Sequence, residues 1–242
     1  MSEHDHPEHL QHHFHTIGQQ RGAAKLGMWI FLVQEILFFS GLFVVYTVFR
    51  YLYPETFIKA HEHLNVTLGT INTVVLLTSS LTMALAVRAA QTSDSKRLVW
   101  LLVATLVLAA VFLCIKYFEY SHKFHDCLLP GRYFGLPSLD NFGRPVLGAD
   151  GMPQFAQHCG VARTLHDGTQ ASGIFFGLYF VMTGVHGIHI LAGMGVITWL
   201  IIRARQGRYH AKYYAPVENV GLYWHLVDII WIFLFPLLYL VR

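Results

Sequence analysis

The sequence predicts an all-α fold, a polytopic membrane bundle of five transmembrane helices. Three observations carry this prediction. Of 242 residues, 54% are hydrophobic and 13% charged, a balance too apolar for an ordinary soluble domain. Five stretches, Leu26–Phe49, Leu68–Ala89, Leu98–Tyr120, Ser172–Ile202 and Val220–Val241, each exceed the roughly 20 residues that a helix needs to cross the hydrocarbon core. None of them shows the period-2 alternation of a barrel strand. Residues 1–25 read as a polar, histidine-rich tail, and residues 26–242 as one membrane domain with a long loop at about 121–171.

The tail carries His4, His6, His9, His12, His13 and His15 and has no signal-peptide pattern. Such a cluster reads either as a metal-binding tail or, more plainly, as a solvated segment whose ordered part caps its neighbour. The first span, LGMWIFLVQEILFFSGLFVVYTVF, is apolar except for Gln34, Glu35 and its hydroxyls. A charge this deep costs at least about 2.5–3.5 kcal/mol by insertion scales, so Glu35 needs a partner, a proton or a task. Ser40 and Gly41 offer a small surface for helix contact. Tyr51 and Tyr53 mark an interface, and Pro54 is expected to stop the helix.

The second span is rich in hydroxyls, among them Thr73, Ser79, Ser80 and Thr82, which suit helix contact in lipid. The third contains Cys114, expected in buried packing, and ends in CIKYFEYSHKFH. Lys116 and Glu119, three apart, form an expected outer ion pair, with the lysine reaching the interface. The fourth opens with GIFFG, a Gly-xxx-Gly pair permitting close approach, and places His186 and His189 three apart on one face. The fifth places His225 and Asp228 likewise, with Trp224, Trp231 and Tyr239 as amphipathic anchors and Pro236 near its end.

Orientation follows from the basic residues. Arg21 and Lys25 precede the first span, Arg88, Lys96 and Arg97 flank the second-to-third turn, and Arg203, Arg205, Arg208 and Lys212 fall between the fourth and fifth. These segments share one side, which places the N-terminus in the cytoplasm and the C-terminus in the periplasm. The net charge of +3 reflects this bias and gives no reason to expect a nucleic-acid partner. Cys127 and Cys159 then lie in the loop on the outer side, where disulfides persist. Bridging them would close a loop of about 30 residues and contribute about 3 kcal/mol in the chain-entropy model.

At 1.5 Å per residue, Glu35 lies about 14 Å from the start of its helix and Asp228 about 12 Å from the start of the fifth. Topology thus gathers Glu35, Ser79, Ser80, His186, His189, His225 and Asp228 in the middle and inner half of one bundle. Three readings of the cluster compete: a proton-handling or structural network, a metal centre, and a transporter site. Bundle di-iron sites use Glu-x-x-His pairs with more carboxylates, and transporters show internal repeats, neither of which is seen. There is also no Cys-x-x-Cys-His haem attachment and no phosphate-binding Walker pattern. A membrane di-iron enzyme would need histidine boxes at helix ends, whereas the best boxes here lie inside spans.

Four stretches together resemble one family, subunit III of the haem-copper cytochrome c oxidases: LGMWIFLVQEILFFSGLF, NTVVLLTSSLTMALA, FVMTGVHGIHILAG and LYWHLVDIIWIFLFPLLYL. The segment HFHTIGQQRGAAKLG is similar to the lead-in to the acidic helix there. The resemblance implies a subunit of the bacterial inner membrane that binds no haem or copper itself and packs against subunit I. Haem and copper would sit in partner subunits. Implied roles are support of proton uptake, lipid binding, oxygen access and protection of the active site, within a complex that reduces oxygen and pumps protons, alone or in a respiratory supercomplex. Glu35 would be the family's buried, carbodiimide-reactive carboxylate, and His186, His189, His225 and Asp228 its polar positions in the last two helices. The two N-terminal helices of longer members have no counterpart, and the loop at 121–171 is longer than in the mitochondrial protein. A relative serving a quinol oxidase or a nitric oxide reductase fits the same architecture.

The charge asymmetry yields a direct test of topology. A reporter fused at Lys96 or Arg208 is expected to read cytoplasmic and one at Asp150 periplasmic; the reverse pattern refutes the orientation.

Overall fold

The computed structural model describes residues 13–125, 128, 171–211 and 213–240. Among them are six helices: α1 (Ile17–Leu52), α2 (Pro54–His61), α3 (Val66–Gln91), α4 (Ser95–His125), α5 (Ala171–Arg205) and α6 (Ala215–Tyr239). Apart from one isolated bridge between His210 and Tyr213, the described residues form no β-structure. Helices α1, α3, α4, α5 and α6 are long and apolar enough to cross a membrane, as the five expected spans require. The histidines from His4 to His12, Cys127, Cys159, Lys212 and most of the long loop lie outside the described residues.

Helices α4 and α6 extend beyond the expected spans, to His125 and back to Ala215, and two boundaries of α1 differ for local reasons. Helix α1 begins well before Leu26 because Thr16 and Gln19 form a reciprocal cap. The Gln19 N–H donates to Thr16 Oγ1 at 3.1 Å, and Gln19 Oε1 accepts from the His15 N–H at 3.1 Å. This Thr-x-x-Gln pattern is a variant of the capping box. Residues 17–25 are thus the first turns of the helix. At the other end Pro54 does stop α1, but it also opens the short helix α2. At the first helical position its missing N–H costs nothing and its fixed φ suits the helix.

The remaining ends follow the same logic. Asn65 caps α3 through Oδ1, which accepts from the Leu68 N–H at 3.1 Å. Asp94 does the same for α4, accepting from the Arg97 N–H at 3.1 Å. Gly207, in the left-handed region at φ 68°, closes α5 and donates to the Ala204 carbonyl. The Asn65 carboxamide and the Asp94 carboxylate each satisfy an N-terminal N–H, and the Gly207 N–H satisfies a C-terminal carbonyl, groups that would otherwise have no partner.

The fold divides into two compact units. One comprises the described residues of Met1–Gly41, Leu77–Ala109 and His189–Ile229. Its core is built where α5 and α6 meet: an added Cβ on Gly193 would stand 2.6 Å from Trp224 Cζ3 and 3.1 Å from Tyr223 Cε1. Trp224 is fully buried there, and its indole N–H donates to Ser79 Oγ of α3 at 2.9 Å. Thr82 and Thr105 join α3 to α4, their hydroxyls 2.8 Å apart.

The other unit comprises the described residues of Leu42–Leu76, Ala110–Ile188 and Ile230–Arg242. Its core is aromatic. Phe57 of α2 is fully buried, with Tyr46 and Phe175 edge-on at centroid distances of 5.4 and 5.1 Å. Tyr46 donates its hydroxyl to the Leu237 carbonyl in the last turn of α6. The Trp231 indole N–H donates to Thr73 Oγ1 at 3.1 Å.

Half of the apolar window of α6 is buried, against 17% for α1. Helix α6 is therefore the most enclosed span, and α1 turns most of its apolar surface outward. Cys114, expected in packing, is exposed because it falls on the outer face of α4, two positions after the buried Phe112.

Gly193 supplies the test of this packing. Gly193→Ala is expected to destabilise the protein by about 1–3 kcal/mol through overpacking against an immobile indole, read as a lowered melting temperature in detergent. Gly187→Ala, where nothing lies within 4 Å of the added carbon, is expected to leave the melting temperature unchanged.

Candidate functional site

In the first unit Glu35 has a partner. His189 Nε2 and Glu35 Oε2 are 2.9 Å apart, with side-chain exposures of 19% and 12%. The imidazole is held edge-on to Phe39, centroids 5.3 Å apart. One residue's backbone is fixed as well: Tyr223 donates its hydroxyl to the His189 carbonyl at 2.9 Å. Helices α1, α5 and α6 are thereby tied at one level. The pair removes the cost of an isolated carboxylate, since either a neutral acid–imidazole or an ionic pair satisfies both groups.

Three further residues of the expected cluster converge in the same unit. Ser80 Oγ and His225 Nδ1 are 2.7 Å apart. Asp228, one turn further along α6, is 2% exposed; Ser80 is near it, but neither carboxyl oxygen has a hydrogen-bond partner. Ser79, adjacent in sequence, turns instead to Trp224. The consecutive serines on α3 thus divide their work between an indole and an imidazole.

His186 and His189, expected on one face, have different partners. His186 belongs to the second unit, fully buried between Phe112 of α4 and Trp231 of α6 at centroid distances of 5.6 and 5.3 Å. Its ring is part of an aromatic stack.

Lys116 and Glu119 form the ion pair that their spacing leads one to expect, but the lysine does not reach out to the interface. The structure buries both side chains, 9% and 3% exposed, with Nζ 2.8 Å from Glu119 Oε2. Lys116 also donates to the Tyr239 hydroxyl at 2.7 Å, and that hydroxyl donates to Glu119 Oε1. Three groups on α4 and α6 thus close a triangle. Around the ammonium stand the rings of Trp231, Tyr239 and Tyr179, at 4.5, 5.1 and 5.6 Å. Such a cage supplies cation–π attraction in a desolvated site. Lys123, 4% exposed, lies 5.3 Å from the Tyr179 ring and donates to the His63 carbonyl at 3.3 Å.

Sequence reasoning missed Tyr239 and Lys123 as members of this centre. Tyr239 was read as an interfacial anchor, and its hydroxyl instead bridges the ion pair. The signal available was the coincidence of Lys and Glu on one helix with an aromatic-rich partner span, which identifies no particular ring. Among the described residues, no group of three or more His, Cys, Asp and Glu side chains is arranged to hold a metal ion.

The comparison with known families comes down on one answer. The family model described as cytochrome c oxidase subunit III matches residues 7–127 and 156–241. The chain belongs to the cytochrome c oxidase subunit III family. The resemblance carried by the four sequence stretches is therefore borne out, and the gap between the matched segments falls in the long loop. This family member is 30% identical to cytochrome c oxidase subunit 3 of Bacillus subtilis over 222 residues, covering 89% of this chain and 84% of that one. It is 25% identical to a probable quinol oxidase subunit 3 of Staphylococcus saprophyticus, covering 96% and 97%. It is also 26% identical to a haem-copper oxidase subunit I+III of Aeropyrum pernix, covering 90% of this chain and 22% of that longer one. As a subunit III with five helices capable of spanning, it is a multi-pass membrane protein.

The caged ion pair defines a test. Lys116→Met leaves Glu119 buried without its cation and is expected to cost about 3–5 kcal/mol. Combining it with Glu119→Gln is expected to recover most of that loss, because no orphaned charge remains. Thermal denaturation of the detergent-solubilised protein measures both; a double variant as unstable as the single one contradicts the assignment.

Proposed function

We propose that this chain is a non-redox subunit of a bacterial haem-copper terminal oxidase, held against subunit I in the inner membrane. The observation that carries the reading is the family match over both halves of the chain. The subunit I+III relative adds support, since its name joins the two subunits in one protein. In this reading haem and copper belong to partner subunits, and aerobic electron transport with proton translocation is the activity of the complex. The N-terminus is cytoplasmic and the C-terminus periplasmic, in keeping with the basic residues at the α3–α4 and α5–α6 turns.

The chemistry of the described side chains fits a supporting role. Glu35 with His189, Ser80 with His225, and Lys116 with Glu119 and Tyr239 are each paired across helices. Pairing of this kind holds spans in register and gives subunit I a fixed surface. Two electron donors remain in view: cytochrome c, as in the name of the Bacillus relative, and quinol, as in that of the Staphylococcus relative. The haem type and donor of the purified complex separate them.

The test is affinity purification of the tagged full chain from aerobically grown cells. A haem-bearing subunit I is expected to co-purify, and its absence overturns the proposal. In the same complex Glu35→Gln, which keeps the hydrogen bond to His189, is expected to assemble and turn over normally. Glu35→Ala leaves His189 without its partner, at a cost of about 1–3 kcal/mol, and is expected to weaken retention of the chain. A Gln variant that assembles fully yet loses turnover rapidly would instead assign Glu35 a titrating role.

A further inference from the structure

We propose that Asp228, acting through Ser80, holds the ring hydrogen of His225 on Nε2. The imidazole then presents a hydrogen-bond donor, deep in the membrane, to an oxygen acceptor on a spanning helix of a partner subunit. The inference rests on the reading of this chain as one subunit of a membrane complex. Asp228, Ser80 and His225 all belong to the first compact unit.

Asp228 is enclosed at 2% exposure, and neither carboxyl oxygen has a hydrogen-bond partner. A bare carboxylate in hydrocarbon costs far more than the neutral acid. The acid has one proton to donate. Ser80 is the polar group near it, and so the acceptor toward which that proton turns. Ser80 Oγ also lies 2.7 Å from His225 Nδ1. A serine hydroxyl that accepts from the acid gives its own proton to Nδ1. A neutral imidazole with Nδ1 as acceptor carries its hydrogen on Nε2, because the bond made by one ring nitrogen fixes the state of the other. Asp228 and Ser80 are thus positioning residues, and the Nε2–H is the group they position.

The His225 ring is half-buried, and Nε2 is not among the enclosed polar atoms that lack a partner. It therefore opens on the surface of the chain. His225 follows Ala215, the first residue of α6, by ten positions, or about 15 Å of rise in a helix about 37 Å long. At that depth it lies inside the roughly 30 Å hydrocarbon core, out of reach of bulk water and of lipid headgroups. Leu77 and Leu81, on either side of Ser80 in α3, and Ile229, one turn beyond His225, are all exposed and apolar. Acyl chains can pack on those residues but offer the N–H no acceptor, which would cost several kcal/mol. A hydroxyl or carbonyl oxygen on another spanning helix supplies the acceptor, as interhelical hydrogen bonds do in lipid.

The assembled complex, purified from membranes by a tag on this chain, provides the test. A photo-crosslinking residue replaces Ile229, four positions from His225 on the same helix face. Irradiation is expected to join the chain to another membrane-spanning subunit. No adduct, or adducts only to lipid or to a second copy of this chain, overturns the proposal. Without the crosslinker, His225→Phe is expected to speed loss of the chain from the complex in detergent about three- to tenfold, the range of one interhelical hydrogen bond. His225→Gln, which keeps an N–H donor, is expected to restore the wild-type rate. Asp228→Leu exchanges an enclosed polar group for an apolar one, a change that folding tolerates; it is expected to speed loss as His225→Phe does. Asp228→Asn can still donate to Ser80 and is expected to leave the rate unchanged. Nitrogen-15 NMR of the histidine-labelled complex, with His225→Gln as the reference for subtraction, reads the tautomer directly. The hydrogen is expected on Nε2 in wild type and Asp228→Asn, and distributed over both nitrogens in Asp228→Leu. A wild-type hydrogen on Nδ1, or a loss rate indifferent to Asp228→Leu, overturns the proposal. An adduct to a subunit without haem supports this inference while counting against the terminal-oxidase reading. A haem-bearing subunit that co-purifies but forms no adduct does the opposite.

Discussion

Inside a bilayer no water is available to complete a hydrogen bond, and most of this structure answers that single constraint. A polar group left unpaired in hydrocarbon costs several kcal/mol, and most of those described within the spans are satisfied by the protein, Asn72 and the carboxyl of Asp228 being buried without a hydrogen-bond partner. The hydroxyls do this locally. Ser40, Thr47, Thr70, Thr73, Thr105, Thr183 and Thr198 each donate to the carbonyl four residues earlier in their own helix. That leaves the hydroxyl oxygen able to accept, and Thr73 uses it for the Trp231 indole. A residue type that weakens helices in water becomes a means of joining them in lipid.

The ionisable side chains cannot be satisfied so locally, and they decide which spans are held together. Glu35 takes its partner from α5, His225 from α3, and the Lys116–Glu119 pair its third member from α6. A buried ion pair is weak evidence for stability in itself, because desolvation offsets much of the attraction. What such pairs supply is register: a helix shifted by one residue would strand a charge in hydrocarbon. The aromatic rings around Lys116 extend the same device, since a desolvated ammonium gains from three π-faces.

The periodic and punctuating features were legible in the residues. Five long apolar runs follow from local rules, and the close approach in the fourth span falls at Gly193, away from the GIFFG pair that suggested one. The extension of α1 to Ile17 was equally local, and the Thr16-x-x-Gln19 pattern marks it. Pro54 was read only as a terminator, although the same fixed φ that ends one helix suits the first position of the next.

The sequence by itself determined that Glu35, His189, His225 and Asp228 are immersed in apolar helices, because depth follows from chain position and rise per residue. Family membership was likewise written in four ordered stretches. Only the tertiary structure decided partners. It set His189 against Glu35 and gave His186 to Phe112 and Trp231, although the two histidines are one turn apart. It turned Lys116 inward to Tyr239, where a helical count alone would let it reach the interface, and it placed Cys114 outside. The physical reason is that a span's sequence fixes which side chains share a face, whereas which neighbour that face meets depends on rotation about the helix axis. That rotation is set by packing against the other spans, by residues such as Gly193 and Trp224 that are 31 positions apart along the chain.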